Sequence, residues 1–125
     1  MLEKKGCLVI GPNFCITGGS EIICQNKISF GEGCLISWDV LLMDTDHHHI
    51  LDNKGNTLNE DKAINIGNHV WIGCRNTILK GISIADNIII AACSVITHDL
   101  NLPNCIVGVH GENTRIIKEG VNWGI

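Results

Sequence analysis

Residues 64–96 read INIGNHVWIGCRNTILKGISIADNIIIAACSVI and place an isoleucine at every sixth position: Ile66, Ile72, Ile78, Ile84, Ile90 and Ile96. An α-helix repeats its apolar positions near 3.6, so six is a poor helical period. Six is three times the strand period of two, so these side chains share one face of an extended chain. The residues two earlier join that face, as at Ile64, Val70, Ile82 and Ile88. After the isoleucine comes a residue suited to a bend, Gly67, Gly73 or Ala85, and then often Asn68 or Asp86. Such residues tolerate left-handed backbone, or reach their own backbone with a short polar side chain. A short strand, a bend and a short strand again predict a parallel β-helix, three hexads to a triangular coil.

Working outward, the same beat runs upstream through Ile10, Ile16, Ile22 and Ile28 and weakens to Cys34 and Val40. Six hexads on each side of one interruption predict about four coils. The interruption spans about residues 44–63 and reads DTDHHHILDNKGNTLNEDKA, polar and rich in turn residues. After it the beat resumes two residues out of phase. A loop of this length inside a compact domain is uncommon and usually functional. It holds three of the six histidines and is the first place to look for chemistry. From about Pro103 the beat stops, and residues 103–125 are expected to cap the last coil. Glu112–Val121 has the charge order of a short helix, acid near its start and Lys118 near its end. The first coil has no such cover, so an unpaired strand edge is expected there.

Composition agrees with one domain over residues 1–125. Apolar residues make up 45%, yet aromatics only 4%, while isoleucine supplies 21 residues, so the core is built from branched aliphatics that favour strands. That content excludes intrinsic disorder. No apolar run approaches ~20 residues, which excludes a membrane-spanning helix. A net charge of −4 without a basic run argues against a nucleic-acid partner. Seven cysteines, an odd number at irregular spacing with no Cys-x-x-Cys, argue against a disulfide framework or zinc knuckle. They read as reduced small fillers, and the opening residues lack the apolar stretch of a signal peptide, so a cytoplasmic protein is expected.

Three segments resemble the hexapeptide-repeat acyltransferases, in particular the maltose, galactoside and polysaccharide O-acetyltransferases. Residues 43–50, MDTDHHHI, are similar to the family's Asp-x-Asp-x-His-x-Ile loop. Residues 66–73, IGNHVWIG, resemble its Trp-Ile-Gly hexad, and residues 91–99, AACSVITHD, its Gly-Ala-Gly-Ser-Val-Val-Thr-Lys-Asp segment. The resemblance covers about residues 8–118. It implies an all-β, left-handed parallel β-helix and a homotrimer with active sites between subunits. It also implies acetyl-CoA along the C-terminal coils and a sugar or polysaccharide-precursor acceptor.

A sugar hydroxyl does not ionise near pH 7, so a base must take its proton as it attacks the thioester, and a histidine of pKa ~6.5 suits that task. The resemblance puts this role on His48, with His47 and His49 as alternatives one residue away. Asp46 and Asp44 are candidates to orient the imidazole. For the cofactor, the resemblance points to Trp71, Cys74 and Ala92 along the acetyl-CoA arm. Thr97 and His98 match its nucleotide end, and Arg115 and Lys118 its phosphates. His98 stands where the family has Lys. Thr17 and Gln25 fall near family Asn and Asp positions, so those sugar contacts do not carry over.

Two other readings stay open. Adjacent residues of a strand face opposite ways, so His47–His49 do not converge on one metal, and no metal is expected. A β-helical carbonic anhydrase-like enzyme needs a separated histidine pair that His69, His98 and His110 do not offer. A non-catalytic trimeric scaffold is the remaining alternative.

Overall fold

Three parallel sheets wind around one axis as a left-handed β-helix. The computed structural model describes residues 1–2 and 5–124. The first coil holds β1 (Cys7–Ile10), β2 (Cys15–Ile16) and β3 (Glu21–Ile23). The second holds β4 (Lys27–Phe30), β5 (Leu35–Ile36) and β6 (Leu41–Met43). The third holds β7 (Ile64–Ile66), β8 (Trp71–Ile72) and β9 (Thr77–Ile78). The fourth holds β10 (Ser83–Ile84), β11 (Ile88–Ile90) and β12 (Val95–Ile96). β13 (Cys105–His110) and β14 (Asn113–Glu119) complete the chain.

The faces stack in register. β1, β4, β7 and β10 form the first face; β2, β5, β8, β11 and β13 the second; β3, β6, β9 and β12 the third. Inward columns follow directly: Ile10, Phe30, Ile66 and Ile84 on the first face, and Ile16, Ile36, Ile72 and Ile90 on the second. Ile36, Ile72, Ile78, Ile90 and Ile96 are fully buried. At one corner the column is polar. Buried Asn76 donates to the carbonyls of Gly73 (2.7 Å) and Ala91 (3.0 Å) and accepts from Ser94 N (3.1 Å). No buried side-chain N or O among the described residues lacks a partner.

The expected count of about four coils rises to about five. Leu100 bridges to Ile84 and β13 pairs with β11, adding a fifth level on two faces. That level escapes the six-residue beat because its offsets shrink: Leu100 lies 16 residues after Ile84, and Cys105 17 after Ile88. The helix expected over Glu112–Val121 is instead β14, antiparallel to β13 around Gly111 (φ 63°). Alternation over Asn113–Glu119 is weak, so charge placement misled where a neighbouring strand edge offered backbone partners. No helix among the described residues is long and apolar enough to cross a membrane.

The phase slip also moves. Ile28 pairs with Ile64, an offset of 36, twice the 18 that relates Ile66 to Ile84, so the long insertion preserves phase. The slip lies between the first two coils, where Leu8 pairs with Ile28 at an offset of 20. The two extra residues sit at the corner of Gln25 and Asn26. There the buried Asp44 carboxylate accepts both of their backbone N–H groups, at 2.8 Å each.

Corner geometry explains the glycines. A Cβ on Gly67 would lie 2.4 Å from Asp86 Oδ1 and 2.9 Å from the Ile84 carbonyl of the next coil. Asp86 Oδ1 is held there by Asn68 N at 2.7 Å. The other corner position takes left-handed residues, including Asn13, His69, Asn87 and Asn104, with φ between 54° and 59°.

Outward residues differ by face. The first face is polar on β4, β7 and β10 (Lys27, Ser29, Asn65, Ser83). The second (Leu35, Trp71, Ile89, Ile106) is apolar and the third (Leu41, Met43, Thr77, Val95) largely so. At the N-terminal end, β1 and β2 have no strand partner on their outer edge among the described residues, and the inward Ile10 and Ile16 are 46% and 42% exposed. The end of β3 is covered, since Leu2 bridges parallel to Cys24 and Met1 O accepts Cys24 N at 2.8 Å. Buried cysteines act as fillers: burial raises the thiol pKa of Cys24, Cys34 and Cys105, Asp44 adding to the effect at Cys24.

Ile72 and Ile10 share one role in the beat and differ in burial. Ile72→Ala is expected to destabilise the fold by about 2–5 kcal/mol, and Ile10→Ala by less than about 1 kcal/mol. Denaturant midpoints at unchanged m-value measure both.

Candidate active site

The inserted loop leaves the third face after β6 and folds back on itself. Leu58 N donates to Ile50 O (2.7 Å), and Leu51 bridges antiparallel to Thr57. At its tip the Asp52 carboxylate accepts Lys54 N (2.8 Å) and Asn56 N (2.9 Å), which holds its pKa below the ordinary value. A run that reads as irregular polar sequence is thus a small hairpin.

The histidine triplet lies at the base of this hairpin. His47 takes φ 64°, and its N–H donates to Thr45 Oγ1 at 3.0 Å. His48 N donates to Asp46 O at 2.7 Å. All three histidines, with Gln25, Thr45, Asn59, Glu60 and Asp61, line a small polar pocket of about 60 Å³. Gln25, at the two-residue slip, therefore forms part of the wall of this pocket.

Asp44 and Asp46 have different tasks. Asp44 is consumed by the corner of Gln25 and Asn26. Asp46 Oδ2 accepts Lys80 Nζ at 2.8 Å and Asn59 Nδ2 at 2.8 Å. These two contacts, Lys80 first, hold its carboxyl below the ordinary value of 3.8. Asn59 and Lys80 are the residues that sequence reasoning missed. Asn59 stood in a run of turn residues with no spacing to mark it, and Lys80 is 34 residues from its partner.

Trp71, Cys74 and Ala92 come together from separate hexads. They line a groove of about 350 Å³ with Ser37, Trp38 and Ala91, at the corner between the second and third faces. Trp71 Nε1 donates to Ser37 Oγ at 3.1 Å. Trp123, also unforeseen, stacks on His69 with ring centroids 3.8 Å apart and planes 2° apart, and lies 5.9 Å from Trp71. Its indole N–H donates to His69 O at 2.8 Å.

The remaining candidates lie elsewhere. His98 hydrogen-bonds through Nε2 to Thr114 Oγ1, and its Nδ1 is 3.4 Å from Thr97 Oγ1. With Leu100, Leu102, Val107 and Ile116 it lines a cavity of about 280 Å³. Arg115 and Lys118 are exposed on β14. Thr17 Oγ1 donates to Ile36 O at 2.9 Å, away from the histidine pocket. No group of three or more His, Cys, Asp or Glu is placed to hold a metal ion among the described residues.

One chain does not join the histidine pocket to the groove. The loop leaves at the corner after the third face, and Cys74 and Ala92 lie at the corner before it. A whole face separates them, about 15 Å at about 3.3 Å per residue.

The galactoside O-acetyltransferase of Escherichia coli (strain K12) is 36% identical over 88% of this chain and 53% of its own length. A crystal structure of a polysialic acid O-acetyltransferase matches with a TM-score of 0.90 at 33% identity, over 99% of this chain and 59% of that one. A galactoside acetyltransferase solved in complex with coenzyme A matches with a TM-score of 0.76 at 32% identity, over 90% of this chain and 55% of that one. The chain spans little more than half the length of these relatives. No protein-family model matches it.

The lowered Asp46 pKa means that the folded loop holds the carboxylate better than the unfolded chain does. The anchor therefore contributes above the ordinary 3.8 and is lost as pH falls through the lower value in the fold. In an acid titration the Asn59 side-chain amide resonances should shift with a midpoint below 3.8. Lys80→Met should move that midpoint upward.

Proposed function

We propose that the chain is a member of the hexapeptide-repeat acyltransferase family, to whose galactoside and polysialic acid O-acetyltransferases it is similar, and that it transfers an acetyl group from acetyl-CoA to a hydroxyl of a sugar or sugar-like acceptor. The observation that carries this reading is the convergence of Trp71, Cys74 and Ala92 on one groove. The relatives named above are O-acetyltransferases, one of them solved with coenzyme A.

In this reading the groove takes the thioester arm. Its small residues matter because a thin wall lets the backbone approach the carbonyl. A Cβ on Gly73 would lie 2.6 Å from Ile90 O, so this corner has no room to spare. The acceptor hydroxyl enters the histidine pocket, where His48 takes its proton as the oxygen attacks the thioester carbon. Backbone N–H groups stabilise the oxyanion. Collapse of the tetrahedral intermediate breaks the C–S bond, and the proton on His48 passes to the leaving CoA sulfur. Arg115 and Lys118 supply cations for the CoA phosphates, and Thr97 and His98 polar contacts near the nucleotide.

Proton transfer needs His48 within about 3 Å of the reacting hydroxyl. A whole face separates the loop and groove of one chain, so the groove that His48 serves belongs to a neighbouring copy. The apolar second face and largely apolar third face against the polar first one support a ring in which these two faces meet, as a homotrimer. Seven free thiols fit a reducing, cytoplasmic setting.

CoA-thiol release with a panel of sugar acceptors tests the reading. His48→Ala should lower kcat by about 10²–10⁴-fold and leave the KM for acetyl-CoA near its original value. Full activity would move the base to His47 or His49. Ala92→Trp should abolish acetyl-CoA binding. Co-expression of the two variants should restore part of the activity if neighbouring copies share a site, and none if each chain holds its own. No acyl-CoA binding at all would favour the scaffold.

A further inference from the structure

Asn59 spends its whole side-chain amide on the loop that carries the histidines. Its Nδ2 donates to Asp46 Oδ2 at 2.8 Å and to His48 O at 2.9 Å. Its Oδ1 accepts Ile50 N at 2.6 Å. One side chain thus fixes residues 46, 48 and 50, on both sides of the tight turn that His47 makes with φ 64°. Both amide protons are used, so no donor is spare. The segment itself is exposed and carries no buried apolar side chain to hold it.

The clamp is also tied to the coil. Asp46 Oδ2 accepts both Asn59 and Lys80 Nζ, and Lys80 follows β9 on the third coil. A continuous path then runs from the coil through Lys80, Asp46 and Asn59 to the backbone of His48. We infer that Asn59 is the positioning residue that sets His48 for proton transfer, coupling it through Asp46 to Lys80. The inference rests on the proposed base role of His48 for its kinetic consequence, but not for its structural one. Misplacing a catalytic group by about 1 Å costs on the order of 10²-fold in rate.

Asn59→Asp is the decisive variant, because it keeps size and the bond from Ile50 N. It replaces the donor by a carboxylate facing the Asp46 carboxylate and the His48 carbonyl. At pH 8 kcat should fall about 10–100-fold, with the KM for acetyl-CoA unchanged within about twofold because the groove lies elsewhere. As pH falls toward about 5, protonation of the new carboxyl returns an O–H donor, and the ratio of variant to wild-type activity should rise. Asn59→Ala should lose activity to a similar degree with a pH-independent ratio. Amide hydrogen exchange at His48 and Ile50 should speed up in both variants while the coil amides stay protected. Wild-type kcat in Asn59→Asp at pH 8, or unchanged exchange at His48, would overturn the inference. So would a ratio that stays flat with pH. Should the wild type transfer no acetyl group, the proposed function falls, and the exchange measurement still decides the clamp.

Discussion

Every coil of this chain sets apolar side chains on the apolar side chains of the coil below, because parallel pairing in register stacks the inward positions directly. Ile10, Phe30, Ile66 and Ile84 occupy one such column, and shifting one coil by a single residue would turn the whole inward set to solvent. Departures from the 18-residue turn are therefore confined to corners. Each corner departure needs its freed backbone groups satisfied. Asp44 does this for the two extra residues at Gln25 and Asn26. The long insertion keeps the phase, with 36 residues from Ile28 to Ile64, so its cost stays outside the core.

This constraint separates scaffold from site. The columns and corner turns leave the inner face no freedom, and chemistry is left to what projects from the corners. The histidine hairpin projects from one corner, and the groove of Trp71, Cys74 and Ala92 opens at another. Within one chain a whole face holds the two apart. In an assembly of copies, that same rigidity would fix their spacing.

The hairpin also shows how little holds an exposed loop. Asn59, Asp46 and Lys80 form a short polar chain near the surface, where a single ion pair is worth little. Its value is geometric: it selects one arrangement of the backbone at His48.

The hexads in Ile66–Ile96 by themselves determined the β-helix, and together with the upstream beat from Ile10 they determined the position of the inserted loop, because a period of six commits side chains to one face whatever surrounds them. The grouping of Trp71, Cys74 and Ala92 was legible through resemblance. Local charge could not foretell β14, since pairing with β13 supplied backbone bonds that Glu112–Val121 as a helix would have made internally. The place of the phase slip was equally hidden, because the beat runs through Ile22, Ile28 and Cys34 unbroken while the register does not. Only the tertiary structure brought Lys80 and Asn59 to Asp46, and Trp123 to His69. Those contacts join residues up to 54 apart, and hydrogen bonds and ring stacking over such separations leave no periodic mark on the chain.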